Sequence, residues 1–238
     1  MELSERLMAV ARMVTRGNVA CDTGCDHGYV SIYLVREKIC PKAIAMDLRP
    51  GPLSRAGEHI AMYGFGDYIE TRLSDGVDAL QPKEADTLIL AGMGGRLMES
   101  IITGGMSKIS LMKELVLQPQ SEIPMFRKFL RKKGFITCRE NMIFEDGKFY
   151  PVMRVIPGST GTQDVSPDRE LEDRYGGILL RERHPVLEKY LYMEKENLEE
   201  LRRRVESAGI RSEKNRRRAE EIRRELSLNE EALRLFQN

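Results

Sequence analysis

Val19-Ala20-Cys21-Asp22-Thr23-Gly24-Cys25-Asp26-His27-Gly28-Tyr29 decides the fold. A short apolar run ends in an acid, passes through a glycine-punctuated turn, and continues into the apolar stretch Ile32–Val35. That order reads as strand, tight loop and helix. In an open α/β sheet the first such turn faces the ligand crevice. The pattern is Asp-x-Gly-x-Asp-x-Gly, so Asp22 stands where a dinucleotide fingerprint has its first glycine. A carboxylate there suits a cation and repels a pyrophosphate. Gly24 and Gly28 fit places where backbone passes close to a ligand or takes φ > 0. The implied ligand is nucleoside-like with a positively charged reactive end, which describes S-adenosylmethionine. Taken alone, the motif serves equally well as an ordinary βα turn.

Outward from this loop the chain repeats its logic. Upstream, Leu3, Leu7, Val10, Ala11 and Val14 recur at helical spacing behind Ser4, a plausible N-cap. This helix is expected to cover a sheet edge. Downstream, the run Ala43–Asp47 ends in an acid about 20 residues after the glycine loop, the spacing at which an acid grips ribose hydroxyls. Asp47 is also placed to cap a helix over 50–63. A third strand over 68–73 leads into Ser74-Asp75-Gly76, a turn by composition. As the third acid at a strand end, Asp75 is a candidate for the adenine amino group. A fourth strand over 85–90 runs into Ala91-Gly92-Met93-Gly94-Gly95, more glycine than a turn needs, and then a helix over 96–102. These glycines suggest backbone passing beneath a ligand.

A fifth strand over 114–117 precedes Gln118-Pro119-Gln120 and a helix over 124–133. Its pattern puts Met125, Phe126 and Phe129 inside, with Arg127, Lys128, Arg131, Lys132 and Lys133 outside. Strands over 135–144 and 148–156 flank Glu145-Asp146-Gly147, a hairpin signal. Five βα repeats and a terminal hairpin make an α/β fold with a mostly parallel seven-stranded sheet, the class I (Rossmann-like) methyltransferase arrangement. That domain is expected over 1–157.

Residues 157–163 read as a linker. A helical domain follows over 158–238, with a helix over 170–182 interrupted at Gly176-Gly177 and a turn at His184-Pro185. Leu187, Leu191, Glu194, Leu198, Leu201, Val205 and Ala208 keep 4-3 spacing. Ala219, Ile222, Leu226, Asn229, Leu233 and Phe236 do so again beyond Gly209. Each run is a heptad seam, and the pair predicts an antiparallel coiled-coil hairpin. A monomer is favoured over dimerisation through the same seams. Arg202, Arg203, Arg204, Arg211, Lys214, Arg216, Arg217 and Arg218 gather near its tip. They are candidates for RNA phosphate contact, with a solvated ion-paired face as the even alternative.

The whole chain has 238 residues, 32% charged, with a formal net charge of +1. Global charge therefore does not mark a nucleic-acid binder, and any such role rests on local clustering. The N-terminus lacks a signal-peptide core, and no apolar run reaches the ~20 residues of a membrane span. The four cysteines are scattered without a Cys-x-x-Cys pair. No metal or disulfide framework is expected, and the compartment reads as cytoplasmic.

On Asp22 to Tyr29, Ala91 to Gly95, Leu117-Gln118-Pro119-Gln120, Gly147-Lys148-Phe149-Tyr150 and Arg181 to Pro185, the chain resembles the TrmK family of bacterial tRNA (adenine-22-N1)-methyltransferases. The resemblance covers nearly the whole chain. It implies S-adenosylmethionine as cofactor and tRNA as partner, methylated at N1 of an adenosine in the D-arm region. It places Asp22, Gly24, Asp26, His27 and Gly28 at the methionine end, Asp47 on the ribose, and Asp75 and Gly76 at the adenine. It also implies that Ala91, Gly92, Met93, Gly94 and Gly95 form the floor beneath the methyl group. The Asn/Asp-Pro-Pro-Tyr/Phe signature of exocyclic-amine methylation is absent, which fits a ring nitrogen. Gln120 stands where the family has Asn. Asp26 and His27 are the candidates to offset product charge or take a proton. His59 and His184 read as structural. The competing readings are a methyltransferase with another target and a non-catalytic RNA-binding protein. A nicotinamide oxidoreductase lacks its phosphate-binding fingerprint here.

Overall fold

A computed structural model describes residues 2–158, 169–207 and 213–237. The chain divides into two compact units, Met1–Asp168 and Arg169–Asn238. The first is built on one seven-stranded sheet of order β3-β2-β1-β4-β5-β7-β6. Its strands are β1 (Ala20–Thr23), β2 (Ala43–Asp47), β3 (Ile69–Leu73), β4 (Thr87–Gly94), β5 (Glu114–Ser121), β6 (Phe135–Glu145) and β7 (Lys148–Pro157). The first five pair in parallel, and β7 runs antiparallel between β5 and β6. The helices of this unit are α1 (Glu5–Ala11), α2 (Tyr29–Arg36), α3 (Pro50–Met62), α4 (Gly95–Gly104), α5 (Met106–Ile109) and α6 (Ile123–Lys132).

The central strands are buried on both sides over residues 20–23, 43–47, 87–90 and 114–119, and most of their residues there are apolar because helices cover both faces. Their alternate residues serve two cores. Ala43, Ala45, Ile89 and Val116 pack with Val10, Ile32 and Ile60 of α1, α2 and α3. Ile44, Met46, Leu88, Leu90, Leu115 and Leu117 point the other way, onto Met98, Ile102 and Phe126 of α4 and α6. Strand order reverses at β1 and β4, the switch point where a crevice opens beyond the carboxyl ends of the strands.

Several sequence expectations need correction. No helix joins β3 to β4; the connection is a turn segment in which Ser74 Oγ accepts Ala79 N–H at 3.0 Å. Arg72 steadies it by pairing with Glu84 at 2.6 Å. The fourth strand does not stop at Leu90 but continues through the glycines to Gly94, with register shifts against β5 on both sides of Met93. On α6, Met125 is exposed while Arg127 is buried against Glu140 at 3.0 Å. Amphipathic period alone favoured the reverse, because a guanidinium enters a core only where a carboxylate from a distant strand neutralises it. Asp47 does not cap α3 through its own position; Arg49 is the N-cap, and Asp47 Oδ1 accepts the Arg49 N–H at 2.9 Å.

The second unit contains α7 (Glu170–Tyr175), α8 (Gly177–Arg181), α9 (Pro185–Ser207) and α10 (Glu213–Gln237). The break between α7 and α8 falls at Gly176, and α9 begins at Pro185. Leu198 packs with Ile222 and Leu226, while Asn229 Nδ2 donates to the Leu191 carbonyl at 3.0 Å. These pairings run in opposite senses along the two helices, so α9 and α10 form an antiparallel hairpin within the chain. The two polar seam residues meet: Asn229 Nδ2 donates to Glu194 Oε2 at 2.9 Å. Glu194 in turn accepts from Arg174 and Tyr175. A buried polar residue satisfied at one register only is a common way to fix helix pairing. Ala208, Gly209 and Arg211, and linker residues from 159 on, lie outside the described residues.

Candidate functional site

A cavity of about 520 Å³ lies at the carboxyl ends of β1 to β5, within the size range of small-molecule sites. The carboxyl-terminal segments of β1, β2, β3 and β4, with the residues that follow them, all reach it. Asp22, Gly24, Asp26 and His27 come from the first, Asp47 from the second, Asp75 and Gly76 from the third, and Ala91, Gly92 and Met93 from the fourth. The sequence candidates Gly28, Gly94 and Gly95 do not line it. Gly28 sits behind the loop as the N-cap of α2, where a Cβ would meet Ala56 Cβ at 3.3 Å. Gly95 is packed beneath the β5–α6 turn, where a Cβ would come 2.8 Å from the Ser121 carbonyl.

The parallel sheet places successive acids along one rim. Asp22 is 4% exposed, and its Oδ2 accepts from Ser31 Oγ at 3.0 Å. Burial raises its carboxyl from 3.8 to about 6, against the lowering effect of the Ser31 bonds; Asp47 adds a smaller upward push. Such a group gains most from a cation delivered to it. Asp47 is also buried at the tip of β2.

Gly24 and Met93 face each other so closely that a Cβ on Gly24 would lie 2.2 Å from Met93 Cε. A glycine there lets the thioether cross the cavity floor. Gly92 has φ +78°, a conformation that disfavours a side chain, and the peptide is held from below: its N–H donates to Gln118 Oε1 at 3.1 Å. Arg6 Nη1 donates to the same oxygen at 3.1 Å. Gln118 is fully buried on β5, and its Nε2 donates to the Pro119 carbonyl.

Sequence reasoning missed Arg6, Leu7, Tyr29, Ser74, Ile101 and Gln120 in the cavity wall. The first two belong to α1, expected only as edge cover. That helix does cover the β5–β7–β6 side, yet it also turns Arg6 into the cavity, with the guanidinium 5.6 Å from the centre of the Tyr150 ring. The conspicuous Gln-Pro-Gln signal marked Gln120, but nothing local aimed it at the site.

Asp26 and His27 face α3. Asp26 pairs with Arg55 at 3.2 Å and lies 3.5 Å from His27 Nε2. The rings of His27, Tyr29 and His59 lie nearly parallel with centroids 5.0 to 5.4 Å apart. His59 Nδ1 donates to the His27 carbonyl at 3.0 Å, so this histidine braces the glycine loop.

Comparison with known proteins bears on this geometry. Residues 3–153 match the methyltransferase domain family. The tRNA (adenine(22)-N(1))-methyltransferase of Bacillus subtilis is 28% identical over 98% of both chains. The crystal structure of the B. subtilis M1A22 tRNA methyltransferase TrmK superimposes with TM-score 0.86, covering 98% of this chain and 99% of that one. This chain belongs to the TrmK family. A Streptococcus pneumoniae member, a candidate tRNA (m1A22) methyltransferase, is 30% identical with TM-score 0.85 over 98% of this chain and 100% of its own. A structure of the same protein in complex with S-adenosyl-L-methionine gives TM-score 0.83 at 28% identity, with the same coverage. The rim carrying Asp22, Asp47 and Gly92 is fed by β1, β2, β3 and β4, which lie side by side in the sheet.

Proposed function

We propose that this chain transfers a methyl group from S-adenosylmethionine to N1 of adenosine 22 in tRNA. One observation carries the reading: a buried, cation-seeking Asp22, the strand-end Asp47 and the close-packed Gly24–Met93 floor converge in one cavity. These residues fit the cofactor. Asp22 answers an ammonium group, Asp47 a ribose diol, and Asp75, Gly76 and Ile101 a flat purine. When bound, S-adenosylmethionine supplies a methyl carbon made electrophilic by its sulfonium.

The protein contributes alignment and dehydration. Adenine N1 carries a free lone pair near neutral pH, so no strong base is needed before attack. Holding two reactants in line can supply ~7–11 kcal/mol. N1 lies on the Watson–Crick edge, so a paired target must leave its helix before it enters. The Gly92 peptide, fixed by Gln118, gives the target side a rigid floor. Asp26 and His27 are engaged with α3, which supports a role in shaping the cofactor loop over one in proton transfer.

On the hairpin, Arg204 pairs with Glu200, Arg217 with Glu213, and Arg218 with Glu221. Among the described residues, Arg202, Arg203, Lys214 and Arg216 have no ion-pair partner and are the ones we assign to RNA phosphates. Because the described seam residues of α9 and α10 pack on each other within the chain, we read the protein as a monomer. Among the described residues no helix is long and apolar enough to cross a membrane. The cytoplasm, where tRNA is found, is the compartment this reading requires.

The test uses purified protein, labelled S-adenosylmethionine and unmodified tRNA. The expected result is label in RNA and a reverse-transcription stop at one adenosine. Label confined to protein or small molecules overturns the assignment.

A further inference from the structure

Gln120 occupies the β5 end of the cavity. It is exposed, and it lines the wall beside Gly92 and Met93. Its Nε2 lies 3.7 Å from the place a Cβ on Gly92 would take. Among the described residues nothing hydrogen-bonds its side-chain amide. Its neighbour Gln118 offers the contrast: that amide is buried and committed to Arg6, Gly92 and Pro119.

Sheet order fixes which end this is. The acids that suit the methyl donor stand on β1, β2 and beyond β3, on one side of β4, and Gln120 stands on the other. A group approaching the donor across β4 therefore meets Gln120. A carboxamide offers one donor and one acceptor side by side. The Hoogsteen edge of adenine offers the complement, an N7 acceptor and an N6 donor. Pairing on that edge leaves the N1 lone pair untouched. Guanine presents two acceptors, O6 and N7, along the same edge, so the amide must leave one of them facing an oxygen. A guanidinium would suit guanine, and Arg6 is near, but its Nη1 is bonded to Gln118 and its plane lies by the Tyr150 ring.

We infer that Gln120 is a specificity-determining residue: its side-chain amide reads the Hoogsteen edge of the target adenine while N1 faces the Ala91–Gly92–Met93 floor. The inference rests on the methyltransferase reading above.

The experiment compares wild type with Gln120→Ala on two tRNA transcripts, one with adenosine and one with 7-deazaadenosine at the modified position. The deaza base lacks the N7 acceptor but keeps N1. A bidentate amide–adenine pair contributes roughly 10- to 100-fold in discrimination. Gln120→Ala is expected to lose about that much kcat/KM on adenosine. The deaza transcript is expected to cost wild type about tenfold and to cost Gln120→Ala nothing more. Independent, multiplying losses would overturn the inference. So would loss of the thermal shift given by S-adenosylhomocysteine in Gln120→Ala, since the residue would then serve the donor site. If wild type fails to methylate the adenosine transcript, the methyltransferase reading itself fails and this inference falls with it. If wild type methylates but the two changes do not couple, only the base-reading role is lost.

Discussion

Arg6 and Gln118 lie 112 positions apart in sequence, yet Arg6 Nη1 donates to Gln118 Oε1 at 3.1 Å, onto the oxygen that also accepts the Gly92 N–H. One buried amide thus ties the first helix to the Gly92 peptide in the cavity wall. A hydrogen bond with a charged partner contributes about 1.5–3 kcal/mol. Arg6→Ala is expected to lower kcat/KM for tRNA methylation roughly ten- to hundredfold while the melting temperature moves by only a few degrees. Gln118→Ala strands a half-buried N–H as well and is expected to cost more stability than Arg6→Ala. Steady-state kinetics with thermal melts checks both; equal activity in Arg6→Ala and wild type would remove Arg6 from the site.

Asp22 gives the protein a pH signature. Its carboxyl is raised from 3.8 to about 6 by burial, so the ligand-free fold favours the neutral acid. The stabilisation is fully present below about pH 4 and disappears as pH rises through about 6, a change of about 3 kcal/mol. A bound ammonium reverses the preference. Affinity for S-adenosylhomocysteine is therefore expected to rise between pH 5 and 7. Asp22→Asn should melt higher than wild type at pH 8 without ligand, and its thermal shift with ligand should be greatly reduced. Calorimetric titration across this range decides the matter; a flat pH profile in wild type would contradict it.

The Arg127–Glu140 pair is the buried ionic link between α6 and β6, with both side chains less than a tenth exposed. Removing one partner of a buried pair is strongly destabilising, by about 3–5 kcal/mol. Glu140→Ala and Arg127→Met are each expected to lower the denaturation midpoint sharply. The double variant Arg127→Met/Glu140→Met should recover most of the loss. Urea melts of the three proteins test this, and a double variant as weak as the sum of the singles would show that packing, not charge, dominates.

The basic hairpin can be tested by salt. Each phosphate neutralised steepens the slope of log affinity against log salt by roughly 0.7 for single strands to 0.9 for duplex DNA. Changing Arg202, Arg203 and Arg216 to alanine together should weaken tRNA binding and flatten that slope by about two or more. The same change at Arg204 and Arg217, which are paired with Glu200 and Glu213, should have a smaller effect. An unaltered slope in the first variant would leave these arginines as solvated side chains.

What the sequence determined by itself is what local periodicity and local chemistry can encode. Apolar runs ending in Asp22 and Asp47 announced strands whose tips carry acids. Glycine-punctuated turns announced the loops. The 4-3 spacing through Leu191, Leu198, Ile222 and Leu226 announced the hairpin. Parallel pairing with right-handed crossovers then brings the strand tips to one rim, because successive strands of that kind must all point the same way. Only the tertiary structure decided the rest. That α1 sends Arg6 onto Gln118, that Arg127 enters the core to meet Glu140, that β4 continues as an irregular strand through Gly94, and that Gln120 is left facing the cavity are all outcomes of contacts between distant segments. Such contacts have no period along the chain: a buried cation or a shared carbonyl oxygen is favourable only once its partner has been carried to it by the rest of the fold.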